Sequence, residues 1–445
     1  MKRNNDQWTS KLNFILASAG AAIGLGAIWK LPYVTGMNGG GAFFLIFVIF
    51  TVLIGLPMLI SEFIIGRGAK KEAVTAYKTW APNSLWVWIG RLGLVGCFLL
   101  LTFYSVVGGW VLMYTAKSLI GGVIQSGVDY EAVFGEMVGS PSRTIFGLAI
   151  FTLLNVLVIS FGVRNGIEKA NKYMMPLLFI FFIILVIRSI TLDGAMEGIS
   201  FFLKPDFSNI TGSAVLYALG QSFFSLAVGF SCMVTYSSYL EKDVNLTTSA
   251  GSVVTMNIFV SLLAGLAIFP VVFAFGFEPT EGPGLLFIVL PAAFAQLPFG
   301  QAFLAIFLLL FLFATLTSSF SLYEIIVAAL KESGVPRAIS AIFLGIIILI
   351  AAIPSALAES TLSNVSILGN NIFDATDFLV SNILLPIGSI LIAIFIIHGA
   401  DKSLVQKEYE IANSGRSYYV IWRALMTWVV PITIILAFLN TLGIM

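Results

Sequence analysis

Eleven apolar stretches, each long enough to cross a lipid bilayer, make up most of this chain. A spanning helix needs about 20 mostly apolar residues. By that measure the spans fall at about 11–35, 41–66, 86–120, 143–163, 167–190, 213–240, 248–277, 301–330, 337–357, 376–399 and 417–443. A bilayer core offers no water to backbone amides and carbonyls, so such segments have to satisfy them internally, as helices do. The chain therefore reads as an all-α polytopic membrane protein in contact with the lipid bilayer. Its composition agrees: 10% of 445 residues are charged, against about 25% in soluble domains. The stretch 280–300 is apolar in its middle but broken by Pro283, Pro291 and Pro298. It reads as a re-entrant or capping loop. Lys2 and Arg3 precede the first apolar segment as in a signal peptide, but that segment is long and has internal glycines, so it reads as helix 1.

Basic residues near span ends set the orientation. With the N-terminus cytoplasmic, only Lys30, Lys117, Arg143, Arg188 and Lys204 of the 23 lysines and arginines lie outside. Eleven spans then put the C-terminus outside the cell (cytoplasmic) membrane. A net charge of +1 leaves no electrostatic footprint for a nucleic acid. Cys97 and Cys232 both fall within spans, which gives no disulfide framework and no zinc-type cluster. His398 ends an apolar run and reads as interfacial. With no metal-ligand cluster, nucleophile–base pair or nucleotide loop, the sequence does not read as an enzyme. Nothing in it bears on oligomeric state.

Two spans carry helix breakers where a membrane helix tolerates them poorly. Helix 1 contains GAAIGLGAIWKLPY, with Gly20, Gly24 and Gly26 followed by Lys30 and Pro32. Helix 6 contains GQSFFSLAVGFS, with Gly229 in mid-membrane. Unwound backbone at membrane depth is tolerated where it lines protein or a polar cavity, and two such spans at matching places in two halves point to a transporter site. The halves are helices 1–5 (11–190) and helices 6–10 (213–399), two inverted repeats of one transport domain over 1–445. Helix 11 (417–443) is an addition.

Polar residues in the other spans cluster by helical spacing. Thr317 and Ser318 offer adjacent hydroxyls that suit a sodium-sized cation, or simply back-bond to their own helix. Asn257 and Ser261 share a face of helix 7 and can reach Gln221 and Ser225 of helix 6, as ion ligands or as an interhelical network. Lys30 stands on the same side as Asp374 and Asp377, so a Lys30–Asp377 pair reads as a breakable outer gate. Glu62 and Glu324 have no partner assignable from sequence; Glu62 is placed to cap the broken backbone of a neighbouring helix.

GAAIGLGAIWKLPY, NGGGAFF (Asn38–Phe44), Tyr104 six residues before Trp110, FFSLAVGF, TYSSY and ATLTSS together resemble the neurotransmitter:sodium symporter family, in order from Trp8 to Asp377. The likeness is to its bacterial amino-acid transporters with eleven spans. It implies a LeuT-type fold and sodium-coupled symport of an amino acid by alternating access. The resemblance implies a second sodium site from the Gly20, Ile23 and Ala314 carbonyls with Thr317 and Ser318. It implies a first site from the Ala22 carbonyl, Ser225, Asn257 and the substrate carboxylate, lacking the family's asparagine, which is Ala27 here. One or two Na+ ions follow, depending on that departure.

The resemblance also implies that the substrate carboxylate rests on Gly24–Gly26 and Tyr104. Leu25, Leu100, Val107, Phe224, Ala227, Val228, Phe230, Ser319 and Leu322 would form the pocket, with Trp29 as a roof. Such a pocket implies a neutral hydrophobic or aromatic L-amino acid. Chloride is left open, because the anion position resembles Gln221, Ser225, Asn257 and Ser261 but has Phe47 in place of tyrosine. Tyr239, Ser238 and Glu332 match the inner gate, whose N-terminal arginine falls at Asn5, with Arg3 nearby. Gly166 and Pro176 match a spacing linked to unwinding of helix 5. The alternatives are a sodium-independent or proton-coupled carrier of the same fold, or a receptor- or channel-like descendant, for which Ala27 is the support.

Overall fold

The computed structural model describes residues 7–124, 129–278, 284–367, 369–411 and 416–441. Among them the regular structure is helical, apart from an isolated bridge between Ile367 and Asn370. Eight helices are individually long and apolar enough to span a bilayer: Gly41–Ala69 (helix 2), Val87–Leu119 (helix 3), Pro141–Ser160 (helix 4), Val163–Ile190 (helix 5), Leu246–Ala274 (helix 7), Gly300–Glu332 (helix 8), Ile372–Gly399 (helix 10) and Tyr418–Leu439 (helix 11). Helix 1 is a bent pair, Lys11–Ala22 (1a) and Gly26–Met37 (1b), at 52°.

The other two expected spans are not continuous helices of that length. The segment 213–240 is two helices, Gly212–Leu226 (6a) and Cys232–Ser238 (6b), because three residues between them take up positive φ. The segment 337–357 holds the helix Arg337–Ala351 (helix 9) and a separate turn, Ile353–Ala356, where Pro354 restarts the chain. The stretch 280–300 is helical over Leu285–Ala295. Pro283 lies outside the described residues. Phe287 of this short helix is fully buried and meets Trp29 of helix 1b at 6.5 Å and Tyr114 of helix 3 at 5.4 Å between ring centroids, so the segment caps those two helices.

Helix starts follow side-chain chemistry. Ser10, Thr211, Asn245 and Asn371 each accept a hydrogen bond from a backbone amide of the first turn, opening helices 1a, 6a, 7 and 10. The outward faces of helices 4, 5, 9 and 11 carry exposed Leu157, Ile183, Ile187, Phe343, Ile346, Ile432 and Ile435. A surface of this composition suits hydrocarbon rather than water. Helix 8 is the opposite: every residue from Ala314 to Ile325 is buried, and the helix packs against helices 1a, 3, 5 and 9.

Close helix crossings depend on small residues. Gly109 of helix 3 and Gly147 of helix 4 meet so tightly that a Cβ on Gly109 would lie 2.6 Å from the Leu148 amide, and one on Gly147 would lie 2.8 Å from the Gly109 carbonyl. Backbone cannot yield there. Gly109→Val is expected to cost about 1–3 kcal/mol by overpacking, seen as a lower melting temperature of the detergent-purified protein. Gly135→Ala, with nothing within 4 Å of its Cβ position, serves as the control and is expected to cause no loss.

Candidate functional site

Helix 1a ends at Ala22, where Ile23 (φ −92°, ψ 76°) turns the chain out of the helix. A helix end leaves its last carbonyls unpaired, and a membrane interior supplies no water to take them. Side chains from two other helices do so. Ser318 Oγ donates to the Ala21 carbonyl at 2.7 Å, with the Gly20 carbonyl 3.1 Å away. Asn257 Nδ2 donates to the Ala22 carbonyl at 3.2 Å. Across the break, Gln221 Nε2 adds a bond at 2.7 Å to the Gly26 carbonyl of helix 1b, which already accepts from Leu31 N. Gly24 permits this convergence: a Cβ there would lie 2.2 Å from Ser318 Oγ and 2.8 Å from Tyr104 OH.

The helix 6 break spans Ala227 (φ 52°), Gly229 (φ 104°) and Ser231 (φ 60°). Its amides are bound by Glu62 of helix 2, which accepts from Gly229 N at 2.7 Å and Met233 N at 3.1 Å. A fully buried carboxylate here serves as the missing helical acceptor. Helix 10 backs the break so closely that a Cβ on Gly388 would lie 2.2 Å from the Gly229 carbonyl.

Between the two breaks lies a cavity of about 40 Å³. Ala22, Gly24, Leu25, Gly26, Leu100, Tyr104, Phe224, Ala227, Phe230 and Leu322 line it, and no lining residue is charged. Tyr104 OH donates to the Thr315 carbonyl at 3.2 Å. Ser319 does not line the cavity: its hydroxyl turns to Asn155 of helix 4 and the Leu316 carbonyl. Trp29 does not roof the cavity either, but stands edge-on to Tyr33 and Phe287. Val107 and Val228 are buried outside the lining. The lining also includes Ala21, Cys232, Ser318, Ser321 and Leu385. Ser321 is one turn beyond Ser318, so helical spacing signals it; Leu385 of helix 10 has no local signal.

Two groups of neutral oxygens flank the cavity. Thr317 Oγ1 donates to the Ala314 carbonyl at 3.1 Å, beside the Ser318 contacts with Gly20 and Ala21. Ser225 Oγ donates to Asn257 Oδ1 at 3.0 Å, and Asn257 Nδ2 also reaches the Ser225 carbonyl at 2.9 Å. Ser261, one turn from Asn257, has a buried hydroxyl without a partner among the described residues. Phe47 is buried against Phe44. No group of three or more His, Cys, Asp or Glu suited to a metal occurs among the described residues. The donor set therefore fits a weakly charged hard cation and not a transition metal.

Contacts close off both ends of helix 1. Lys30 Nζ lies 3.1 Å from Asp377 Oδ2 and 5.0 Å from the centre of the Phe224 ring, which lines the cavity. At the other end Trp8 Nε1 donates to the Tyr236 carbonyl at 2.8 Å, and Thr9 and Asn13 hold Glu168 of helix 5. Tyr239 donates to Glu324 Oε1 at 2.7 Å, and Arg337 pairs with the same carboxylate. The expected grouping of Tyr239 with Glu332 is thus replaced: Glu332, two turns further along helix 8, pairs with Lys71. Ser238 bonds the Thr235 carbonyl of its own helix. Arg3 and Asn5 lie outside the described residues.

The chain matches the sodium:neurotransmitter symporter family over residues 5–124 and 135–445. It is 51% identical over 442 residues to the sodium-dependent transporter YhdH of Bacillus subtilis (strain 168), covering 99% of this chain and 98% of that one. It is 39% identical over 471 residues to a sodium-dependent transporter of Haemophilus influenzae, covering 99% and 100%. Among solved structures it superposes on MhsT in complex with L-phenylalanine with a TM-score of 0.92 at 39% identity, covering 98% of this chain and 99% of that one.

Removing the Glu62 carboxylate strands two buried amides. Glu62→Ala is expected to cost about 2–5 kcal/mol, measured as thermal stability in detergent. Glu62→Gln, which keeps one acceptor oxygen, is expected to lose less. Equal losses would mean that the carboxylate acts by filling space and not by capping the break.

Proposed function

Because this chain belongs to the sodium:neurotransmitter symporter family, we propose that it couples sodium to the symport of neutral hydrophobic or aromatic L-amino acids. Membership itself means a LeuT-type fold and sodium-dependent membrane transport, with no enzymatic step. The observation that carries the substrate reading is the cavity between two helix breaks, apolar in its side chains and polar only in its freed backbone and hydroxyls. A zwitterion with an uncharged side chain suits such a space, whereas a charged side chain would have no counter-ion there. That MhsT is solved with L-phenylalanine supports the same class.

In this reading the substrate carboxylate takes the amides of Gly24–Gly26 and the Tyr104 hydroxyl. Leu25, Leu100, Phe224, Ala227, Phe230 and Leu322 surround the side chain. Sodium at the second site takes the Gly20, Ile23 and Ala314 carbonyls with Thr317 and Ser318, whose hydroxyls turn from the backbone to the cation. The first site draws on the Ala22 carbonyl, Ser225, Asn257 and the substrate carboxylate, so amino acid and ion stabilise each other. The buried Ser261 hydroxyl, one turn from Asn257 and unpartnered among the described residues, leaves a chloride position open, which replacement of chloride by gluconate tests.

The Lys30–Asp377 pair forms the outer gate, and Tyr239, Glu324 and Arg337 with Trp8 the inner one. Glu332 with Lys71 lies on the rim of the inner gate. The distribution of basic residues supports a cytoplasmic Trp8 and a C-terminus outside a cytoplasmic membrane. The two five-helix repeats of the single domain, 11–190 and 213–399, would rock against each other, with helix 11 alongside. Coupling requires that sodium bind the two states unequally, since equal affinity shifts nothing.

Binding of labelled leucine, phenylalanine and tryptophan, with sodium exchanged for potassium at fixed ionic strength, tests the reading. Saturable binding that needs sodium and is not competed by glutamate or lysine is expected; sodium-independent binding would favour a proton-coupled carrier. Thr317→Ala with Ser318→Ala is expected to weaken sodium dependence at least about tenfold, the scale of a lost polar contact to a charge. Ala27→Asn is expected to raise sodium affinity at the first site, and no change would mean that another ligand already completes it.

A further inference from the structure

We propose that Asn171 of helix 5 supplies its side-chain oxygen as a further ligand to the cation site at the helix 1 break, tying helix 5 to cation occupancy. This rests on the sodium reading above. Asn171 is fully buried. Its Nδ2 donates to the Ile167 carbonyl at 2.9 Å, which fixes the orientation of the amide, since an oxygen could not face that carbonyl. Its Oδ1 is left as a buried acceptor without a partner among the described residues.

That oxygen is aimed at Gly20. A Cβ built on Gly20 would lie 2.2 Å from Asn171 Oδ1 and 3.1 Å from the Thr317 Cβ. The amide oxygen and the Thr317 side chain therefore flank Gly20 of helix 1a, the residue whose carbonyl Ser318 Oγ contacts at 3.1 Å. An unpaired acceptor in a low-dielectric interior is costly, and a cation shared with Gly20, Thr317 and Ser318 removes that cost. One more neutral oxygen also raises the ligand number, one of the quantities that sets how strongly such a site holds its ion.

The position of Asn171 gives the ligand a second consequence. Its amide nitrogen holds Ile167, within the irregular segment Val163–Glu168 that follows Gly162 (φ 90°) and precedes Pro176. Glu168 in the same segment holds Thr9 and Asn13 of the N-terminal segment and helix 1a. Helix 5 cannot loosen here without moving Asn171. A cation bound through Asn171 would hold the segment shut, and its loss would free helix 5 and the N-terminal segment together.

The test uses the full-length purified protein in detergent, following melting temperature as sodium chloride replaces potassium chloride at constant ionic strength. Ligand that binds the folded state raises that temperature. In the native protein sodium is expected to raise it, and to slow hydrogen exchange over residues 163–176. Asn171→Ala is expected to raise the half-saturating sodium concentration about tenfold and to abolish the slowed exchange. Asn171→Asp, which keeps an oxygen at the same reach, is expected to stay within about twofold of the native value or to bind more tightly. Native protein indifferent to sodium would overturn the sodium reading and this proposal with it. A sodium response that Asn171→Ala leaves unchanged would overturn this proposal alone, as would equal losses in the Ala and Asp variants.

Discussion

The structure depends on satisfying backbone groups released inside a membrane. A break in a spanning helix frees amides and carbonyls where no water can take them, and each left unpaired costs several kcal/mol. This protein breaks two helices at one level and supplies each with dedicated partners. Ser318 and Asn257 take the carbonyls that end helix 1a, and Glu62 takes the amides of helix 6, while Gln221 ties helix 6a to helix 1b. The polar groups cannot be relocated singly, because each sits on a different helix. Fixing them fixes how helices 2, 6, 7 and 8 stand around helix 1.

The same arrangement sets the chemistry open to the cavity. Carbonyls and hydroxyls gather at one group of residues and amides at another, while the walls between are apolar. The walls are formed by side chains such as Leu25, Leu100, Phe224, Phe230 and Leu322. Sodium dependence, a property of the family, fits a donor set of neutral oxygens with no acidic cluster among the described residues.

The two ends of helix 1 are closed by contacts of unequal burial. The Lys30–Asp377 pair keeps 12% and 30% of its side chains exposed. Glu324 is fully buried and held by both Tyr239 and Arg337, and breaking a buried pair costs about 3–5 kcal/mol. On that same side helix 5 contacts both the N-terminal segment, through Glu168, and helix 1a, through Asn171.

The membrane class, most of the apolar spans and the two broken helices were legible in the chain, because each is a local property: twenty apolar residues, or glycines in a helix that has no water to repair it. The Lys30–Asp377 pair was legible too, since charges in apolar spans have few places to go. Partners distant in sequence were not. Tyr239 on Glu324 rather than Glu332 depends on which turn of helix 8 faces helix 6b, and Ser319 turns to Asn155 because helix 4 lies behind it. Nothing in the sequence marks Asn171, an ordinary polar residue between Gly166 and Pro176. Sequence by itself determined that backbone would be exposed in the membrane; only the tertiary structure decided which side chains meet it, because those contacts join helices more than a hundred residues apart.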